Sequence, residues 1–280
     1  MIILFTGSNG FIARELICQL KNKRKDIRVL ATTHSTLDVQ DSAAVDSFFQ
    51  SNKVDVVVHC AVSGGRRNKL ETCDVFYNNI RMFENLVKHR NKFRFMISFG
   101  SGAERDRTCD IWKCKEEDFT NYNESIPKDF YGFSKYVIAK RIITLDNIFN
   151  LRIFNVFGPT EDSDRMIRGN IIRNTKNKPM ILHQNRWMDF FSVEDLYKVV
   201  EYLLEDDLSQ VTWRDMNMCY FEKNTLEDIA LKIMQVTGIN SEIVVNTESF
   251  FPSYCGDGTK LSSLDLQFRG LEKSIGDLVK

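Results

Sequence analysis

The chain has 280 residues, 43% hydrophobic and 27% charged, and its formal net charge is zero. That is the balance of a soluble globular protein with one large domain or a domain plus a smaller lobe, and it gives no electrostatic reason to expect nucleic acid as a partner. No run reaches the roughly 20 apolar residues of a membrane span, and the opening MIILF lacks the basic region and apolar length of a secretory signal, so a cytoplasmic protein is expected. The seven cysteines are an odd number without a C-x-x-C pair. They read as reduced thiols, and no metal site is expected.

Apolar and mixed segments alternate through the first half. IILF (2–5) is strand-like, and FIARELICQL (11–20) has helical spacing at Ile12, Leu16, Ile17 and Leu20. The basic KNKRK (21–25) after it suits a helix C-terminus. IRVLA (27–31) predicts a strand, SAAVDSFFQ (42–50) a helix capped by Asp41 or Ser42, and VDVVVHCA (54–61) a buried parallel strand. VFYNNIRMFENLVKHR (75–90) predicts a helix, FRFMISF (93–99) a strand, residues 130–145 a helix and LRIFNVF (151–157) a strand. This alternation predicts an α/β protein with a doubly wound parallel sheet of the Rossmann type.

After Gly158-Pro159 the character changes. Residues 160–186 read as polar and irregular. DFFSVEDLYKVVEYLLE (189–205) predicts a short strand and a helix capped near Ser192, and NTLEDIALKIMQVTG (224–238) a capped helix ending at glycine. The expected division is a nucleotide-binding domain over 1–158, with 189–205 packing back on it, and a smaller mixed α/β substrate lobe over 159–280.

TGSNGFIAREL (6–16) follows the first strand and opens the first helix. Glycines there permit a tight turn and close approach of a pyrophosphate, and the helix N-terminus offers N–H groups and positive dipole. Gly7 and Gly10 hold the first two glycine places and Ala13 the third, and the loop and first turn (Gly7, Asn9, Gly10, Phe11 and Ile12) are the expected dinucleotide contacts. An acid at the end of the second strand would bind a ribose 2′-hydroxyl. ATTHS (31–35) has none, and Thr33, His34 and Ser35 are instead placed to donate to a 2′-phosphate, favouring NADP(H) over NAD(H). Asp38, with Val39 beside it, stands where a carboxylate meets adenine or caps a helix.

TGSNGFIA, HCAVSGG (59–65), NNIRMFENL (78–86), SGAE (101–104), YGFSK (131–135), LRIFNVFGP (151–159) and DFFSVEDL (189–196) occur in an order that resembles the extended short-chain dehydrogenases/reductases. These are the nucleotide-sugar epimerases, dehydratases and 4-ketoreductases. LDVQDSAAVDSFFQSNKVDVVVHCA is similar to the dTDP-4-keto-rhamnose reductase branch. The resemblance covers about residues 1–200 well and 210–280 loosely. It implies that Ala61 sits beside the cofactor, that Asn79 supports the site, and that Ser101, Tyr131 and Lys135 form the catalytic trio, with Ser98 the other serine of that strand. It also implies that Gly102 and Asn155 face the substrate or nicotinamide region, and that the protein is a homodimer paired partly through helix 130–145.

A ketone reductase must deliver a hydride to carbon and a proton to oxygen. A tyrosine with a pKa near ~10 exchanges protons poorly at neutral pH, and a lysine ammonium one turn away favours its phenolate. The cofactor carries the hydride and the protein supplies orientation and the proton. DFYGFSKYVIAKR (129–141) contains two tyrosines with a lysine four residues on, Tyr131/Lys135 and Tyr136/Lys140. Five residues at about 100° each turn Tyr136 off the face of Tyr131. Gly132 costs roughly 1 kcal/mol against alanine, which suits a close backbone approach, and only YGFSK matches the family pattern. Tyr131 and Lys135 are the expected pair.

Dehydratases of the group carry an Asp-Glu pair after the catalytic hydroxyl, where this chain has Gly102 and Ala103. The fucose branch uses a cysteine and a histidine, and here no cysteine adjoins Ser101 and His183 stands alone. The expectation is reduction of an NDP-4-keto-(6-deoxy)sugar for surface polysaccharide, with 4-epimerisation as the alternative and a non-enzymatic NAD(P) sensor as a third reading. Arg165, Arg168 and Arg186 are candidates for the sugar-nucleotide phosphates, or else surface charge. Trp187, Phe190 and Phe191 read as core.

Overall fold

A computed structural model describes residues 1–65, 70–121, 125–205, 208 and 211–279. In chain order the first elements are β1 (Ile2–Thr6), α1 (Phe11–Lys23), β2 (Arg28–Ala31), α2 (Ser42–Ser51), β3 (Val56–His59), α3 (Asp74–Val87) and β4 (Phe95–Ser101). They are followed by β5 (Ile111–Cys114), α4 (Glu116–Asn121), α5 (Phe130–Ile142), β6 (Ile148–Ile153), β7 (Val156–Phe157), α6 (Met166–Asn174) and β8 (Met180–Leu182). The remainder is β9 (Phe191–Ser192), α7 (Val193–Leu204), β10 (Asp215–Met218), α8 (Leu226–Thr237), β11 (Ile243–Val245), β12 (Tyr254–Gly256), α9 (Thr259–Ser262) and α10 (Leu271–Val279).

The central parallel sheet has six strands in the order β10-β6-β4-β3-β1-β2. β1 pairs with β2 on one side (Leu4 opposite Leu30) and β3 on the other (Leu4 opposite Val57), and β3 pairs with β4 (Val57 opposite Met96). The chain runs outward from β1 to β2 and then returns to the far side of β1, so the order reverses between β1 and β3. Open α/β sheets bind ligands outside the carboxyl ends of the strands at such a reversal. β3 and β4 are buried on both faces, as their valine-rich and aromatic runs require. One core joins Leu4, Val57 and Met96 of the sheet to Val45 and Phe49 of α2, Phe83 and Leu86 of α3, and Ile138 and Ile142 of α5.

Two compact units emerge, and they depart from the expected division. The first comprises 1–106, 117–152 and 205–216, and the second 107–116, 153–204 and 217–280. The boundary thus falls at the end of β6 rather than at Pro159, residues 189–204 group with the second unit, and the segment 205–216, which ends in the first residues of the edge strand β10, groups with the first. The strand expected over 151–157 is two strands, Ile148–Ile153 and Val156–Phe157. The break is where the chain leaves the large sheet.

In the second unit, β7–β9, β8–β11 and β5–β12 form two-stranded parallel pieces, and α6, α8 and α10 pack together. α8 carries the predicted caps: Thr225 and Asp228 form a capping box, and Gly238 closes the helix at φ +69°. Residues 160–186 are not irregular, because they contain α6 and β8. The buried face of α6 is Ile167, Asn170, Ile171 and Asn174, a helical period half made of asparagines. Asn170 bonds the backbone of Ile181 in both directions, and Asn174 donates to Ile239 O and Ser241 Oγ. A search for apolar periodicity misses a face whose buried residues are half amides.

Candidate active site

The β1–α1 turn is built around close approach. Gly7 adopts φ +64°, and a Cβ on it would lie 2.7 Å from both Cα and N of Ala61. Only glycine lets the β1 turn lie against the loop after β3. Gly10 N donates to Gly7 O at 2.9 Å, and α1 begins at Phe11 with Gly10 as an N-cap that has no side chain to satisfy the first-turn N–H groups. Its first turn holds no acidic residue. Ala13 is fully buried, so the third glycine place of the loop serves helix–sheet packing. These features fit a dinucleotide pyrophosphate: a glycine cradle, open N–H donors and a positive helix end. Asn9 and Gly10 are exposed and Phe11 and Ile12 are half-buried.

At the end of β2, Thr33 Oγ1 and Ser35 Oγ share a hydrogen bond of 2.9 Å, and His34 Nδ1 lies 3.5 Å from Asp38 Oδ2. His34 and Ser35 are exposed. Asp38 accepts from Gln40 N, whereas the cap of α2 is Asp41, which accepts from Ala43 N and Ala44 N. The Val39 side chain is buried in the core, and its carbonyl accepts from Asn85.

At the end of β3, Ala61 N donates to Thr6 Oγ1 at 3.3 Å, and that hydroxyl lies 2.8 Å from His59 Nδ1. The Thr6 hydroxyl, with two acceptor lone pairs and one proton, thus links Ala61 N to the His59 ring. Burial, then the nearby Lys135 charge, depress the His59 pKa to about 3, so the ring is neutral. Asn79, buried on α3, accepts from Ser63 N at 2.8 Å, donates to Ser63 O at 3.0 Å and reaches Ser134 Oγ of α5 at 2.9 Å. One side chain thereby ties the loop after β3 to the helix carrying Tyr131.

Ser101 ends β4 and is buried. Its Oγ accepts from Ala103 N at 3.1 Å, which leaves its hydroxyl proton to donate elsewhere, and Glu104 Oε1 accepts from Ser101 N at 2.9 Å. The S-x-x-E spacing of SGAE is the sequence signature of this capping box. Glu104 has no exposed side-chain surface. It bonds Arg152 Nε at 2.6 Å, and Arg152 in turn holds Asp215 at 2.7 Å. Burial raises the Glu104 pKa against the Arg152 charge. Ser98 lies inside β4, opposite His59 and almost fully buried.

α5 is capped by Asp129, which accepts from Gly132 N at 2.7 Å. A Cβ on Gly132 would lie 2.6 Å from Ala103 O, so the glycine lets α5 press against the turn after Ser101. Lys135 Nζ donates to Phe99 O at 2.7 Å and lies 5.9 Å from the Tyr131 ring centre. Burial lowers the Lys135 pKa to about 8, with Glu104 and Cys60 opposing the shift. Tyr131 itself lies on Gly65: a Cβ there would be 3.0 Å from Cε2 of its ring. The fold thus gathers Tyr131, Lys135, Ser101, Asn79, Ala61 and Gly7 at the carboxyl edge of β1, β3 and β4.

The other expected site residues lie in the second unit. Asn155 donates to Asp189 O at 2.9 Å, and Phe191 N donates to Asn155 O at 2.9 Å. Arg165 caps α6 and is 3.5 Å from Glu161, Arg168 donates to Pro159 O, and Arg186 is buried over the Tyr254 ring at 5.9 Å. Trp187 is half-buried against Trp112, with ring centres 5.2 Å apart.

Residues 3–219 match the model of the NAD dependent epimerase/dehydratase family. The sheet, its switch point and the glycine turn define a Rossmann-type nucleotide-binding protein, and the chain belongs to that family. It is 24% identical over its whole length to the GDP-6-deoxy-D-talose 4-dehydrogenase of Aggregatibacter actinomycetemcomitans, covering 97% of that protein. Among solved structures it is similar to an NADP-bound GDP-mannoheptose C4 reductase from Campylobacter jejuni, with TM-score 0.81, 19% identity and coverage of 99% and 96% of the two chains. It also resembles a dTDP-4-dehydrorhamnose reductase from Clostridium acetobutylicum, with TM-score 0.76, 20% identity and coverage of 100% and 98%.

Proposed function

We propose that the chain is an NAD(P)H-dependent reductase of a nucleoside-diphosphate 4-keto-sugar, with Tyr131 as proton donor. The observation that carries this reading is the Lys135 amine, half-buried one turn from Tyr131 and held on Phe99 O, two residues before Ser101. The site offers a proton, a positive charge and a hydroxyl donor. It places Gly102 and Ala103 where dehydration chemistry needs carboxylates. Both relatives named for GDP sugars act at carbon 4, which supports GDP as the nucleotide.

Bound NAD(P)H would supply the hydride. The protein's part is the proton. As hydride reaches the carbonyl carbon, charge develops on the oxygen, and the Tyr131 hydroxyl donates its proton there. The Ser101 hydroxyl, which accepts from Ala103 N–H and keeps its own proton to give, donates to the same oxygen. Lys135 is protonated below pH about 8, and its charge stabilises the phenolate left behind. Thr33, His34 and Ser35, with no acid at the end of β2, favour NADP(H), and the NADP bound to the Campylobacter reductase supports the same choice. Asn155, Arg165, Arg168 and Arg186 are the proposed contacts for the sugar nucleotide.

A homodimer accompanies this reading. α5 buries Ile138, Ala139 and Ile142, yet Phe130 and Phe133 on its other faces and Ile143 at its C-cap are 41%, 37% and 54% exposed. Phe76 of α3 stacks on Phe133 at 5.1 Å, and Phe133 on Tyr136 at 6.4 Å. Exposed aromatic side chains gathered on neighbouring helix faces mark an interaction surface, and a second copy of the chain is the proposed cover. Sedimentation of Phe133→Glu should show monomers where the wild type shows dimers.

The direct test is incubation with NADPH or NADH and a panel of nucleoside-diphosphate 4-keto-6-deoxysugars. Stoichiometric cofactor consumption is expected. Sugar conversion without net consumption would make the protein an epimerase. Tight cofactor binding with no turnover of any sugar nucleotide would make it a sensor.

A further inference from the structure

The loop after β3 turns on two glycines in the left-handed region, Gly64 (φ +76°) and Gly65 (φ +82°). Glu71, half-buried just before α3, holds this loop with one oxygen and the catalytic helix with the other. Oε1 accepts from Gly65 N at 2.7 Å, and Oε2 accepts from Tyr131 N at 3.1 Å. Tyr131 occupies the second position of α5, where a helix N–H has no intrahelical acceptor. Asp129 accepts from Gly132 N, so the two carboxylates serve different N–H groups of the first turn.

The two glycines are matched to this arrangement. A Cβ on Gly64 would lie 2.9 Å from Glu71 Oε1 and 2.5 Å from Val75 Cγ1, and one on Gly65 would lie 3.0, 3.1 and 3.3 Å from three Tyr131 ring atoms. Backbone and ring of Tyr131 are therefore fixed by the same loop, the ring by contact with Gly65 and the N–H through Glu71. A carboxylate at this helix N-terminus is also favoured by the dipole.

We propose that Glu71 is a positioning residue for Tyr131, a carboxylate strap that locks the first turn of α5 to the loop after β3 and so sets where the phenol stands. The proposal rests on the reading of Tyr131 as proton donor. Glutamine keeps an acceptor for only one of the two N–H groups, and alanine keeps none.

The test compares wild type, Glu71→Gln and Glu71→Ala by amide hydrogen exchange and by steady-state kinetics with NADPH and a keto-sugar. Exchange at Gly65 and Tyr131 should be fastest in the alanine variant. The value of kcat should fall about 100-fold in alanine, as for a misplacement near 1 Å, and less in glutamine, with both KM values within about twofold. Gly65→Ala, which drives a methyl into the ring with Glu71 intact, should lower kcat in the same way. A kcat within about twofold of wild type despite faster exchange overturns the proposal, as does a loss of activity explained wholly by a smaller folded fraction. If the wild type reduces no keto-sugar, the reductase reading falls by itself. The exchange measurement then still decides the strap, and unchanged exchange at Gly65 and Tyr131 overturns it.

Discussion

Helix α5 carries two tyrosine–lysine pairs of the same spacing, and their local geometries are nearly alike. Lys135 Nζ is 5.9 Å from the centre of the Tyr131 ring, and Lys140 Nζ is 5.4 Å from that of Tyr136. Their surroundings differ. Lys135 donates to Phe99 O at the end of β4 and is held to a pKa of about 8 by burial, whereas Tyr136 joins the stacked aromatic stripe of Phe76 and Phe133. Spacing of four residues brings an amine to a phenol anywhere on a helix. What sets the proposed catalytic pair apart is that the sheet edge desolvates its amine and the flanking loop meets its ring.

The largest expected effect comes from removing one hydroxyl. Tyr131→Phe should lower kcat about 10²- to 10⁴-fold, the usual contribution of general acid catalysis, with cofactor affinity retained in a fluorescence titration. Should Tyr136→Phe abolish turnover instead, the two pairs have been assigned the wrong way round.

Lys135→Met should follow, and its pH dependence sharpens the contrast. Because the pKa falls from 10.5 to about 8, the amine is charged below pH 8 and loses its proton above it. Reduction also needs Tyr131 protonated. The rate should therefore be level up to about pH 8 and fall above it, and the methionine variant should lack that limb. A wild-type rate level to pH 10 contradicts the role given to Lys135. The same shift affects stability with the sign of a depressed base. Between pH 8 and 10.5 the unfolded chain binds the proton and the native chain does not, so this residue adds stability as pH rises through that window and withholds it below pH 8.

Gly132→Ala tests the backbone approach. A methyl 2.6 Å from Ala103 O must push α5 away from the Ser101 turn, costing about 1–3 kcal/mol in a chemical denaturation series, as overpacking does. At an exposed helical site the same change would stabilise by roughly 1 kcal/mol, so the sign of the effect decides the matter. The smallest effect is expected at Tyr136→Phe, which should leave kcat within about twofold of wild type.

The sequence alone was enough for the class of fold and much of the first unit. Strands, helices, the glycine turn and the caps of α2 and α8 follow from interactions within a few residues, and such interactions are written in local order. The same holds for the YGFSK pair, which is local by spacing. Other features were decided only by tertiary structure. The amide-rich buried face of α6 escaped a search for apolar period, and the break at Asn155 reflects where the chain leaves the sheet. The central sheet takes its edge strand from Asp215–Met218, far along the chain from its neighbour β6, which no neighbouring residue announces. Glu71 acts on Tyr131 across 60 residues of chain, and Lys135 owes its lowered pKa to burial against β4. Charge, desolvation and ring contact depend on what comes near in space, so the sequence named the catalytic candidates while the fold decided which of them share an environment.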